Sequence, residues 1–149
     1  FSLYIRRNIE AMRSNDLIKF SDGLKHIKAF LNIENVDNET GLVVEFNVDE
    51  EDFMIPPLTV EPLVENAVIH GVGMLENGGV ITISSRKTDD GYEICVEDNG
   101  VGFDTENTKP GVGLENSKTR LELLCGGKLE ITSRPGCTKA TVFIPEQKT

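Results

Sequence analysis

What the sequence lacks narrows its possibilities first. No apolar run comes near the roughly 18 to 20 residues that a membrane-crossing helix needs, and no signal-peptide pattern opens the chain. The three cysteines, Cys95, Cys125 and Cys137, are odd in number and have no C-x-x-C spacing. That argues against a disulfide scaffold or a zinc site and fits a reducing compartment. Basic surplus is also missing: 15 Lys and Arg stand against 25 Asp and Glu, a net charge of −10. A nucleic-acid groove needs a positive patch, so no nucleic-acid partner is expected. An anionic ligand would need a metal ion, aligned backbone amides or a local cation to offset that field. There are no internal repeats, and the first residue is Phe1 rather than Met, so the chain is expected to be a piece of a longer protein.

What is present is enough for one globular unit. The 149 residues, 38% hydrophobic and 27% charged, suffice to bury a continuous core. Residues 1–13 mix apolar and basic character and can be helical. Ser21 and Asp22 are placed to cap a helix running to about Asn35, with Leu24, Ile27 and Leu31 as its apolar stripe. Residues 35–41 read as a loop and 42–48 as a strand. Past Pro56 and Pro57 comes a helix that begins near Pro62, which is tolerated only in a first turn, and ends at Gly71. Period-two alternation over 79–87 and 92–98, flanking the turn TDDG, predicts a hairpin. A Gly-, Asn- and Pro-rich loop, 99–113, leads to a helix from about Leu114 to Leu124, closed by Gly126-Gly127. Two last strands meet at Pro135-Gly136. Hairpins imply antiparallel pairs, and three amphipathic helices can cover one sheet face. The expected fold is α/β, a two-layer α/β sandwich with a mixed, mostly antiparallel sheet.

Three short clusters carry chemistry. In EDNGVGF, 97–103, a strand ends in Asp98 beside Gly100 and Gly102. A carboxylate there can accept from an exocyclic amine, and glycines let a planar ligand come close, although Asp-Asn-Gly is also an ordinary turn. In GVGLEN, 111–116, glycines precede a helix N-terminus whose unpaired N–H groups suit a phosphate. In PLVENAVIHG, Asn66 and His70 lie four apart on one face of the helix, while Leu63, Val64, Ala67 and Val68 supply its apolar side. An Asn oxygen there can hold a hydrated Mg2+.

Each cluster alone is weak, but their order is specific. Asn66 in LVENAVIHG, then DNGVGF, then GVGLEN resembles the N box, G1 box and G2 box of the histidine-kinase ATPase fold (Bergerat-type), shared with gyrase-type, Hsp90-type and MutL-type ATPases. IPPLTVEPLVENAVIHG, with SKTRLELLCGG after the G2 box, is similar to the LytS-like subfamily of bacterial sensor histidine kinases. The resemblance spans about Ser21 to Pro145.

The resemblance implies a set of roles. Asn66 would coordinate Mg2+ and, with His70, face the phosphates. Asp98 would bind the adenine amino group, with Gly100, Val101, Gly102 and Phe103 shaping that pocket. Residues 103–112 would be a short ATP lid, and Gly111, Val112, Gly113 and Leu114 would close over the phosphates. Thr138, seven residues before Pro145, would help fix Asp98. The implied ligands are ATP or ADP with Mg2+, and the implied reaction is phosphoryl transfer to a histidine and then to a response regulator. The parent would be a homodimer anchored in a membrane, with this domain cytoplasmic. Residues 1–20 would be the remnant of the helical phosphoacceptor region or a linker, and 21–149 the ATP-binding catalytic domain.

The sequence departs from this pattern at several points. Ile69 stands where the family usually has Lys, leaving His70, Lys109, Lys118 and Arg120 as candidate substitutes. Cys137 replaces a usual Gly before Thr138. Pro62 occupies the position of the gyrase-type general-base Glu, which favours transfer to a histidine over hydrolysis. The upstream H-F-x-F-N segment bearing the acceptor histidine is absent, and His26 sits on an amphipathic helix. A degenerate module that binds nucleotide without kinase activity is the alternative that Ile69 raises.

Overall fold

The computed structural model describes residues 16–35, 42–71, 79–102 and 112–146. Residues 1–13 therefore lie outside the described residues, as does most of the expected lid. The elements run β1 (Ile18–Lys19), α1 (Phe20–Asn35), β2 (Val43–Val48), β3 (Met54–Ile55) and α2 (Glu61–Asn66), which continues as a π-helical turn, Ala67–Gly71. Then follow β4 (Val80–Thr88), β5 (Gly91–Asp98), α3 (Val112–Cys125), β6 (Lys128–Arg134) and β7 (Cys137–Pro145). Five strands form one sheet in the order β2-β4-β5-β7-β6, with β1 and β3 as a small separate pair. Among the described residues only the β2–β4 pair is parallel, because the chain crosses over through β3 and α2 between them. The α/β sandwich with a mixed, mostly antiparallel sheet is the architecture expected.

The inner sheet face can be followed row by row through the register. Phe46, Ile83, Val96, Ala140 and Ile131 form one row, and Val48, Ser85, Ile94, Val142 and Leu129 the next. Ile81, Ile83 and Ile94 are fully buried, and with Leu24, Ile27, Leu31, Val64 and Leu121 of the helices they make a single core. Each such side chain contributes on the order of 1.5 to 3 kcal/mol through removal from water. The outer face of the edge strand β6 carries exposed Lys128, Glu130, Thr132 and Arg134.

Three local outcomes differ from the sequence-based expectation. Helix α1 begins at Phe20, so Ser21 and Asp22 lie in its first turn instead of capping it. The short pair β1–β3 delivers the chain directly: the Phe20 amide donates to the Phe53 carbonyl at 2.8 Å, and the Phe20 and Phe53 rings stack at 4.9 Å. Phe53 in turn stacks on Tyr92 at 4.4 Å, tying this entry to the sheet. Helix α3 starts at Val112, two residues early, with Gly113 taking helical backbone. At its other end the expected glycine stop is present. Gly126 has φ +70°, its amide donates to the Glu122 carbonyl and the Gly127 amide donates to that of Leu121. The third difference is the π-helical turn, which widens the spacing after Asn66, so the four-residue rule linking it to His70 does not carry over unchanged.

Glu61, in the first turn of α2, is 3% exposed, with Oε1 3.9 Å from His26 Nδ1 on α1. Its Oε2 is buried without a hydrogen-bond partner among the described residues. Burial pushes the carboxyl up to about 7, against smaller opposing effects of the Glu61 and Val60 amides. Because the folded value lies above the unfolded 4.5, the native state holds this proton more tightly. Stability from this group is full below pH 4.5 and is lost as pH rises toward 7, by about 3 kcal/mol in total. Glu61→Gln should remove that loss. The melting-temperature advantage of the variant should be small near pH 5 and grow to its maximum near pH 8, read by calorimetry across the series.

Candidate functional site

At one end of the inner sheet face the apolar pattern gives way. The last row reads Val44, Ile81, Asp98, Thr138 and Ser133, apolar on β2 and β4 and polar on β5, β7 and β6. Alternation forces Asp98 inward, since Ile94 and Val96 share its face, and it is only 4% exposed. Its Oδ1 accepts the Gly100 amide at 2.8 Å. Desolvation raises the Asp98 carboxyl above the ordinary value; the Gly100 amide partly opposes this and neighbouring Glu97 adds to it. Thr138 is buried directly opposite Asp98 in the β5–β7 ladder, and its Oγ1 lies 2.6 Å from Ser133 Oγ. The described contact of Thr138 is thus with Ser133, a residue that sequence reasoning did not single out. Period-two reading of KLEITSR, aligned against TKATVFIP, was the signal available for it.

The G1 loop is held by backbone. Asn99 is bound to the start of β4, with its Oδ1 accepting the Val80 amide at 2.7 Å and its own amide donating to the Val80 carbonyl at 3.2 Å. The Gly136 amide donates to the Gly100 carbonyl at 3.1 Å. Gly102 has φ +74°, and a Cβ there would sit 2.3 Å from the Arg134 carbonyl oxygen. Close packing of this loop on the β6–β7 turn therefore demands the glycine, a reason separate from ligand approach. Val101 between them is exposed.

Asn66 is the half-buried last residue of α2, and the turn after it packs against β5, the strand that ends in Asp98. Pro62 sits at the start of α2, as expected. Ile69 is 48% exposed, so the position where a cation was expected presents an alkyl chain to solvent. Lys118 is exposed and Arg120 half-buried on α3. Phe103, Lys109 and Gly111, and the side chains of His70 and Val112, lie outside what is described. Gly113 belongs to the first turn of α3, and Leu114 is buried in the core. A groove of about 590 Å³ at the opposite end of the sheet, lined in part by Asp90, Tyr92, Lys128 and Phe143, contains none of these residues.

A buried carboxylate with acceptor capacity left, beside a glycine-bearing loop and below a helix ending in Asn, suits an amine-bearing planar ligand. Residues 58–148 match the family described as histidine kinase-, DNA gyrase B-, and HSP90-like ATPase. The chain belongs to that family. Among its relatives, Escherichia coli sensor histidine kinase YpdA is 35% identical over 99% of this chain and 28% of its own length. Sensor protein LytS of Oceanobacillus iheyensis is 32% identical over 84% of this chain and 24% of its own length. The chain thus spans about a quarter of each of these two relatives. The histidine kinase AdeS of Acinetobacter baumannii superposes with a TM-score of 0.70 at 18% identity, covering 89% of this chain and 68% of that one. The domain is a nucleotide-binding ATPase-type domain that matches the ATP-binding catalytic domains of sensor histidine kinases.

Gly102→Ala tests the packing of the G1 loop. The substitution combines a left-handed backbone with a backbone clash, and should cost on the order of 2 kcal/mol in denaturant unfolding. Nucleotide affinity should fall with it, because the loop after Asp98 must move away from the β6–β7 turn.

Proposed function

We propose that this domain positions Mg-ATP for phosphoryl transfer to a histidine carried elsewhere in a longer sensor kinase. The observation that carries the reading is the buried Asp98 carboxylate closing the inner face of the sheet, with Gly100 bound to it. Asp98 accepts from the adenine amino group, while Gly100, Val101, Gly102 and Phe103 shape the base pocket and Thr138 supports the carboxylate. Asn66 holds Mg2+, His70 faces the phosphates, and Gly111, Val112, Gly113 and Leu114 lie at the phosphate end. Bound Mg2+ supplies charge compensation for the phosphates. That matters in a chain of net charge −10, where the protein's own task is positioning.

Transfer is favoured over hydrolysis by what precedes Asn66. Pro62 offers no carboxylate one turn upstream, and its neighbour Glu61 is buried in the contact between α1 and α2. Residues 1–20 connect the domain to a helical phosphoacceptor region in a dimeric, membrane-anchored parent, and 21–149 form the catalytic domain. Among the described residues no helix is long and apolar enough to cross a membrane. A response regulator is the onward acceptor of the phosphoryl group.

Isothermal titration tests the reading. Mg-ATP and Mg-ADP should bind the domain, and absence of heat at millimolar nucleotide would sink it. Asp98→Asn should weaken binding of both nucleotides by at least about tenfold, as expected for losing a charged acceptor, with the melting temperature maintained. Rejoined to its acceptor helices, the domain should label a histidine from radioactive ATP; nucleotide binding without labelling would instead identify a regulatory module.

A further inference from the structure

The segment between β3 and α2 is an elbow under strain. Leu58 has φ +58°, in the left-handed region that bulky residues avoid, and is the one such non-glycine among the described residues. Around it Pro56, Pro57, Thr59 and Val60 are all buried, and Thr59 Oγ1 donates to the Pro56 carbonyl at 2.5 Å. Helix α2 has no side-chain cap at Val60, so its entry depends on this elbow. The Leu58 carbonyl faces α3 and accepts the Ser117 hydroxyl at 3.3 Å. Ser117 is 4% exposed and interrupts the apolar stripe of α3 between Leu114 and Leu121. A buried hydroxyl in such a stripe costs free energy unless it is bonded.

We propose that Ser117 is a positioning residue for bound nucleotide, its bond to Leu58 fixing the helix that carries Asn66 against the helix that begins at the G2 box. The inference rests on the reading that Asn66 serves Mg2+ and the start of α3 serves the phosphates. Those two groups sit on different helices, α2 and α3, and a misplacement of about 1 Å between them is enough to weaken a shared ligand strongly. The adenine end is independent of this bridge, because Asp98, Gly100 and Thr138 are held by the sheet register and the β6–β7 turn.

The whole chain, as wild type and as Ser117→Ala, is titrated with adenosine, with ATP in chelator and with ATP in excess magnesium. Wild type should bind Mg-ATP more tightly than metal-free ATP. Ser117→Ala should lose about 5- to 10-fold in Mg-ATP affinity, the scale of one buried hydrogen bond, while adenosine affinity stays within about twofold. Equal losses for all three ligands, or an unchanged Mg-ATP affinity, would overturn the inference and leave the hydroxyl a packing feature. If the alanine variant does not fold, Ser117→Cys keeps the volume with a weak donor and carries the same expectation. A wild type that binds adenosine but gains nothing from magnesium would bring down the magnesium assignment, and this inference with it.

Discussion

A carboxylate is placed at the end of an apolar sheet face by strand register, and the rest of the site is arranged around that placement. Period-two alternation along β5 puts Ile94, Val96 and Asp98 on the same side, so the residues that build the core also carry the acid inward. The cost of burying it is limited by its position in the last row, where Thr138 and Ser133 continue a polar line across β7 and β6. A slip of one residue in β5 would turn the acid to solvent and an outer-face residue such as Glu97 toward the core. The site's chemistry and the sheet's stability thus share one geometric requirement.

Much of the architecture was legible because its signals are local. Alternation marked β4, β5, β6 and β7, the apolar stripe marked α1, and glycines marked the end of α3. Asp98 pairs in register with Thr138 and accepts the Gly100 amide. What escaped depends on contacts distant in sequence. The pair β1–β3 has two residues on each side, too few for a pattern, and is held by the Phe20–Phe53–Tyr92 stack. The parallel pairing of β2 with β4 follows from the crossover rather than from either strand. Glu61 reads as a solvated acid in a first helical turn, yet α1 covers it. Ser133 acquires meaning only from the residue it faces. Gly102 was expected to let a ligand approach, and its tight packing on the Arg134 carbonyl is a separate demand that only the fold reveals.

The helix bearing Asn66 presents no exposed carboxylate in its first turn. Pro62 begins the helix without a side-chain carboxylate, and Glu61 is withdrawn into the α1 contact with its proton held more firmly than usual. Asn66 is followed by a π turn lying on β5, so the same helix is anchored to the sheet just past Asn66. Ile69, on that turn, is exposed and brings no charge to the surface there.

The edge strand β6 bears on how such a domain tolerates company. One side of β6 pairs with β7 and the other has no sheet neighbour among the described residues, which leaves a row of backbone groups open to a further strand. Its outward side chains are Lys128, Glu130, Thr132 and Arg134, three of them charged. In an in-register parallel pairing with a second β6 these would meet like against like, so that pairing is disfavoured.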